Sequence, residues 1–374
     1  MKKGKRVATR QDSMAEFKQA TRPKKTKKKG SSLKKAVLIL GSILAVFLIG
    51  FIVVKYGWKP NVDVLKPPDY GDGDLIHDGI DPANPNSVDD PANPASKAPS
   101  TGDATKLTLD GNVRTVLLVG CFDGSNTDTI MMATLNYKEK TVEVISIPRD
   151  TTIDYNGKRT KINAVHAYAE RTQKGSGLNA LAYELSKVLG FMPNAAMYVK
   201  MQGFVDAIDA VGGIQFNVPQ SISKPEENIS LTKGDQLLSG KKALMLVRFR
   251  GYGSNNSAGI PNDDYGRMYM QQQFLKAAAK QIIVPKNINK IPDFVEIIEK
   301  NVTSTMSATD MLWYAQEVMA VNPDSINFHT LPTSSVDKSY EYVIAEDALA
   351  LINKTVNPYT KDIPLENLSL SYQK

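Results

Sequence analysis

Nineteen consecutive uncharged residues, Ala36 to Val54 (AVLILGSILAVFLIGFIVV), constrain this chain more than any other segment. As a helix they extend about 28 Å, close to the ~30 Å hydrocarbon core of a bilayer. The run is longer than the apolar region of a cleaved signal peptide. It passes into Lys55, Tyr56 and Trp58, residue types that settle at a membrane interface. Residues 36–54 are therefore expected to form one transmembrane helix. Residues 1–35 carry 14 Lys/Arg against two acids, leaving the rest of the chain acidic (32 bases against 37 acids). Basic residues stay on the cytoplasmic side, so 1–35 reads as a cytoplasmic tail and everything beyond Val54 as extracellular, on the outer side of the cell membrane. The tail has one aromatic, Phe17, and no nucleic-acid motif. Its charge is accounted for by topology and attraction to anionic lipid, so nucleic acid is not an expected partner.

Residues 55–105 are rich in Pro, Asp, Asn, Gly and Ser, and the pentad DPANP occurs twice. The composition predicts a disordered acidic linker with an average span of roughly 35–40 Å. From 106 to 374 the pattern is that of one globular domain large enough to bury a sizeable core. It must be stable without an intrachain disulfide, because Cys121 is the only cysteine. Short β-branched runs predict strands at 113–120, 129–136, 141–147, 197–201, 214–218 and 327–331. Periodic segments predict helices at 162–171, 178–189, 203–211, 241–247, 267–283, 291–301, 309–321 and 345–353, with Ser239 as an N-cap. Strands alternating with helices indicate an α/β fold with helices covering the sheet.

The residues able to do chemistry are scattered. Arg149 closes the run Val144-Ile-Ser-Ile-Pro-Arg149, at the end of a buried strand where ligand crevices form in α/β sheets. A pair with its neighbour Asp150 is the simpler reading. Arg248 and Arg250 lie in VRFR, either converging at a helix end or forming a solvated basic edge. Asp264, Arg267 and Gln271 sit at the start of a predicted helix, and 267 and 271 share a face. Helix N-terminal amides favour phosphate there. The alternative is Asp264 as a cap and Arg267 as a surface residue. Asp123 and Asp128 flank the loop between the first two strands, as magnesium ligands or as turn residues. Arginine forks match phosphate oxygens. Guanidiniums mixed with carboxylates suggest a site for a polyanion and a metal. His77, His166 and His329 are too separated for a metal triad, and His166 reads as a packing residue. No P-loop or GxSxG occurs. The methionines at 131, 132, 268 and 270 read as core rather than lipid-pocket lining.

In order along the chain, TDTIMMATLNYKEKTVEVISIPRDT, KINAVHAYAE, FVDAIDAVGGIQFNV, LSGKKALMLVRFR and DDYGRMYMQQQFL resemble the LytR–CpsA–Psr family of cell-wall glycopolymer ligases over about residues 112–285. The resemblance implies a central mixed or mostly antiparallel sheet between helices, with an apolar groove for a prenyl chain. It implies transfer of a phosphorylated glycopolymer from a polyprenyl-pyrophosphate carrier to peptidoglycan. It also implies that Arg149, Arg248, Arg250 and Arg267 grip the pyrophosphate with Gln271 alongside, while Asp128 and Asp264 hold Mg²⁺. The sequence departs from the family pattern twice. The family's Asp directly after the first strand is matched only by nearby Asp123, with Phe122 in the usual place. The arginine three residues beyond the DxGR arginine is Met270.

Overall fold

The hydrophobic alternation of three neighbouring strands builds two cores, one on each face of a sheet. In β1 (Val113–Cys121), β2 (Thr127–Asn136) and β3 (Thr141–Ser146), Leu117, Val119, Ile130, Met132 and Ile145 face one side. Met131, Leu135, Val142 and Val144 face the other, as the period of two requires. A computed structural model describes residues 63–67, 107–121, 126–225, 229–252, 258–261, 263–284, 287, 291–337 and 340–370. The expected tail, membrane helix and most of the linker lie outside them. Among the described residues no helix is long and apolar enough to cross a membrane.

The chain continues through the hairpin β4 (Thr152–Tyr155) and β5 (Lys158–Lys161), then α1 (Ile162–Thr172), α2 (Gly177–Leu189), β6 (Ala195–Lys200) and α3 (Met201–Ala210). Next come β7 (Ile214–Val218), β8 (Ile222–Lys224), β9 (Ile229–Leu231), β10 (Gly234–Leu238), α4 (Gly240–Arg248), α5 (Asp263–Ile282) and α6 (Ile291–Asn301). The last elements are β11 (Val302–Ser304), α7 (Ala308–Met319), β12 (Ile326–Thr330), β13 (Thr333–Asp337), β14 (Tyr340–Val343) and α8 (Ala345–Thr355). The main sheet has the order β11-β6-β1-β2-β3-β12. It is mixed: β1 pairs β2 and β2 pairs β3 antiparallel, whereas β6 on β1 and β12 on β3 are parallel.

Side chains of α1, α2 and α8 cover one face. Those of α7 and the middle of α5 cover the other, where Trp313 is buried against Tyr137. A third core joins β7, α3, α4 and α5 around Phe216 and Phe274. Helix α5 thus contributes to two cores at once. Two glycines of the motif blocks allow this packing. A Cβ on Gly240 would run into the Val205 carbonyl, and one on Gly266 into the Pro261 carbonyl. Both places therefore need the smallest residue.

Candidate functional site

The parallel strands β1 and β6 end beside each other, with Cys121 opposite Lys200, and a cleft of about 480 Å³ opens there. Its inner wall is apolar: Leu118, Met131, Val199, Phe204, Leu244 and Leu275 come from the sheet, α3, α4 and α5. The same cleft is lined by Asp128, Arg248, Arg250, Arg267 and Gln271, and by exposed Lys200.

Four segments bring charge to one point, one of them the stretch just beyond α4 that carries Arg250. Asp128 is the second residue of β2. Arg149 lies in the turn after β3, where Thr151 donates its N–H and hydroxyl to the Pro148 carbonyl at 3.0 and 2.6 Å. Asp264 lies in the first turn of α5 and Arg267 one turn further on. The Asp128 Oδ1 atom meets Arg149 Nη1 at 3.0 Å, Arg250 Nη2 at 3.3 Å and Arg267 Nη1 at 3.3 Å. The Asp264 Oδ1 atom meets Arg267 Nη2 at 2.7 Å, Arg149 Nε at 3.6 Å and Arg250 Nε at 3.7 Å. Three guanidiniums therefore share two carboxylates, which leaves one positive charge over.

Arg267 is 3% exposed, and its Nη2 also donates to the Asp128 main-chain carbonyl at 2.9 Å. Burial lowers its pKa, Asp264 opposes this, and the Arg250 and Arg149 charges lower it further. The buried Nε atoms of Arg149 and Arg267 lack hydrogen-bond partners, as does Asp264 Oδ1, whose 2.7 Å approach to Arg267 is not aligned as a hydrogen bond. Uncompensated buried donors of this kind mark a place for an anion.

Around the cluster, neutral side chains fix the elements. Gln271 donates to the Val247 carbonyl at 3.1 Å, tying α5 to α4. Buried Gln272 donates to Ser146 Oγ, the His329 carbonyl and Thr330 Oγ1 at 2.9, 2.9 and 3.0 Å, tying α5 to the ends of β3 and β12. The Tyr265 hydroxyl lies 2.7 Å from Thr333 Oγ1 and donates to Glu341 Oε2 at 2.9 Å. Its pKa is pushed up to about 12, chiefly by burial. It is therefore a neutral phenol near neutral pH.

Of the residues singled out in the sequence, Asp128, Arg149, Arg250, Asp264 and Arg267 converge. Arg248 is exposed at the end of α4 and lines the cleft. The Arg149–Asp150 pair does not form: Asp150 meets Lys161 at 3.0 Å. Asp123 and Phe122 lie outside the described residues. Met270 is 1% exposed in the third core, so position 270 serves packing in this chain. Met131 lines the cleft as well as a core. Buried His166 stacks on Tyr198 at 4.9 Å. Lys200, Tyr265, Gln272 and Glu341 were not read from the sequence. Of these, Tyr265 and Gln272 carried a signal, the first inside the arginine motif and the second as one of three successive glutamines after it.

Comparison with known proteins places the chain in a family. A profile of the LytR_cpsA_psr family matches residues 87–357. The chain is 31% identical over 191 residues to the polyisoprenyl-teichoic acid–peptidoglycan teichoic acid transferase TagU of Bacillus mycoides, covering 50% of this chain and 58% of that protein. It thus spans less than two thirds of that relative's length. With the protein of the same name from Bacillus subtilis it is 28% identical over 234 residues, 62% of this chain and 72% of the relative. The fold resembles that of TagV from B. subtilis, with a TM-score of 0.54 at 24% identity over 70% of this chain and 100% of that one. The mixed sheet, the helices that cover it and the matched profile lead to one conclusion: the chain belongs to the LytR_cpsA_psr family.

Proposed function

We propose that this protein transfers a phosphorylated glycopolymer from a polyprenyl-pyrophosphate carrier to peptidoglycan. The observation that carries the reading is the continuity of the cleft. Leu118, Val199, Phe204, Leu244 and Leu275 share one cleft with arginines of a cluster that has positive charge to spare. A prenyl chain joined to a pyrophosphate has the same two parts. The names of the curated relatives, teichoic acid transferases acting on peptidoglycan, support the same reaction.

In the proposed reaction an acceptor hydroxyl attacks the phosphorus next to the polymer. The bond from that phosphorus to the polyprenyl phosphate oxygen breaks, and polyprenyl phosphate leaves. Arg149, Arg250 and Arg267 hold the pyrophosphate oxygens and stabilise charge as it moves onto the leaving group. Arg248 and Lys200 extend that positive surface along the rim. The prenyl chain sits against the apolar wall and fixes the phosphorus for in-line attack.

Asp128 and Asp264 supply the oxygen ligands magnesium takes, and Asp264 Oδ1, ion-paired but without an aligned hydrogen bond, keeps a lone pair for that use. When bound there, Mg²⁺ would neutralise pyrophosphate charge. Either carboxylate could also accept the proton of the attacking hydroxyl. The uncharged run at 36–54 would anchor the chain in the cell membrane with this domain on the extracellular side.

The test is incubation of the protein with lipid-linked donor, glycan acceptor and Mg²⁺. Polymer covalently joined to glycan supports transfer. Free phosphorylated polymer would make the protein a pyrophosphate hydrolase, and bound but intact donor would make it a binding protein.

A further inference from the structure

The two halves of the charged cluster lie on separate elements, and one residue outside the cluster touches the neighbour of each, by its backbone on one side and its carboxylate on the other. Glu341 begins its contacts in the backbone. It bridges Thr151 in parallel fashion, and its N–H donates to the Asp150 carbonyl at 3.0 Å. Its carboxylate then reaches the other way. Oε2 accepts from the Tyr265 hydroxyl at 2.9 Å and from Thr333 Oγ1 at 3.2 Å. Asp150 follows Arg149, and Tyr265 follows Asp264. The hairpin that carries Glu341 is shaped for this. Its register shifts between Ser335, the partner of Glu341, and Asp337, the partner of Tyr340, and such a bulge twists a hairpin and redirects its side chains.

We infer that Glu341 is a positioning residue that sets the spacing of Arg149 against the Asp264–Arg267 pair, through Asp150 on one side and Tyr265 on the other. Such a clasp has work to do because ion pairing alone leaves the spacing loose. Arg149 and Arg250 approach Asp264 Oδ1 only to 3.6 and 3.7 Å, whereas Arg267 comes to 2.7 Å. The directional hydrogen bonds of Glu341 fix the Arg149 turn against the start of α5 from outside the cluster. This role rests on the transfer reaction proposed above, because spacing matters only where the arginines must meet one pyrophosphate.

The experiment compares the full-length protein with Glu341→Ala, Glu341→Gln and Tyr265→Phe. Two readouts are used: transfer kinetics, and backbone hydrogen exchange of segments 147–151 and 263–268. Glu341→Ala and Tyr265→Phe should lower kcat about ten- to hundredfold, as for reacting groups misplaced by a fraction of an ångström to an ångström. KM for the lipid donor should change little, since Arg248 and the apolar wall are untouched. Both segments should exchange faster. Glu341→Gln keeps an amide oxygen for Tyr265 and should restore most of the rate. Wild-type exchange in both segments of Glu341→Ala would overturn the inference, as would a Gln variant as impaired as the Ala variant. Absence of transfer by the wild-type protein would overturn the proposed reaction instead, while the exchange data would still decide whether the clasp exists.

Discussion

Arg267 lies 2.7 Å from Asp264, one turn earlier on the same helix, yet the buried guanidinium keeps its Nε without a hydrogen-bond partner. A structural ion pair buried to this extent would be expected to satisfy its donors. Arg267→Ala should abolish transfer. It should also destabilise the domain by about 3 kcal/mol, because two carboxylates lose their most buried cation. Chemical denaturation checks the second effect, and a variant as stable as wild type would show that the pair contributes nothing net.

Arg149 is less buried and tethered mainly by its turn. Arg149→Ala is therefore expected to leave the fold intact and to cut transfer by about two to three decades, the usual loss for a donor aimed at developing charge. Wild-type turnover on a lipid-linked donor would remove Arg149 from the reaction.

The apolar wall predicts a dependence on lipid length. Phe204→Asp or Leu244→Asp should raise KM for long-prenyl donors at least tenfold, since each methylene buried contributes about 0.8 kcal/mol. Donors carrying only a few carbons should be indifferent to the change. Equal effects on short and long donors would place the lipid elsewhere.

If Asp128 and Asp264 hold magnesium, chelation should reduce transfer to background and added Mg²⁺ should restore it. Asp128→Asn should need more Mg²⁺ for half-maximal rate. Full activity in chelator would leave the carboxylates as arginine partners or proton acceptors.

Burial lowers the pKa of His166 below its ordinary 6.5, with Glu170 opposing. Between the lowered value and 6.5 the unfolded chain holds more protons than the folded one. This contribution is thus fully present above 6.5 and is lost as pH falls through that window. His166→Phe, which retains an aromatic ring against Tyr198, should flatten the stability profile between about pH 7.5 and pH 5. Urea unfolding at stepped pH measures it. An unchanged slope would assign the acid sensitivity to other groups.

The sheet strands and longer helices were legible because their apolar periods are strong: β1 to β3 alternate onto two cores, and α2 and α6 carry clear stripes. The hairpins β4–β5 and β13–β14 were not, since KRTK and TSSVD pair through backbone and turn geometry with few buried side chains. Ser239 occupies the N-cap position, but its side chain makes no capping hydrogen bond, so residue type there was a better guide to place than to interaction. In the site, Asp128, Arg149 and Arg267 stood out as charges beside apolar runs. Glu341 could not, because its link to Tyr265 spans 76 positions and has no local pattern.

The bond from Arg267 to the main-chain carbonyl of Asp128 joins residues 139 positions apart. No fragment ending before α5 can contain the cluster, and no fragment starting after β2 can either. The charged cluster is consequently a property of the docked fold and of no local segment. It exists only where the long helix lies against the sheet, so any loosening of that contact disperses its charges at once.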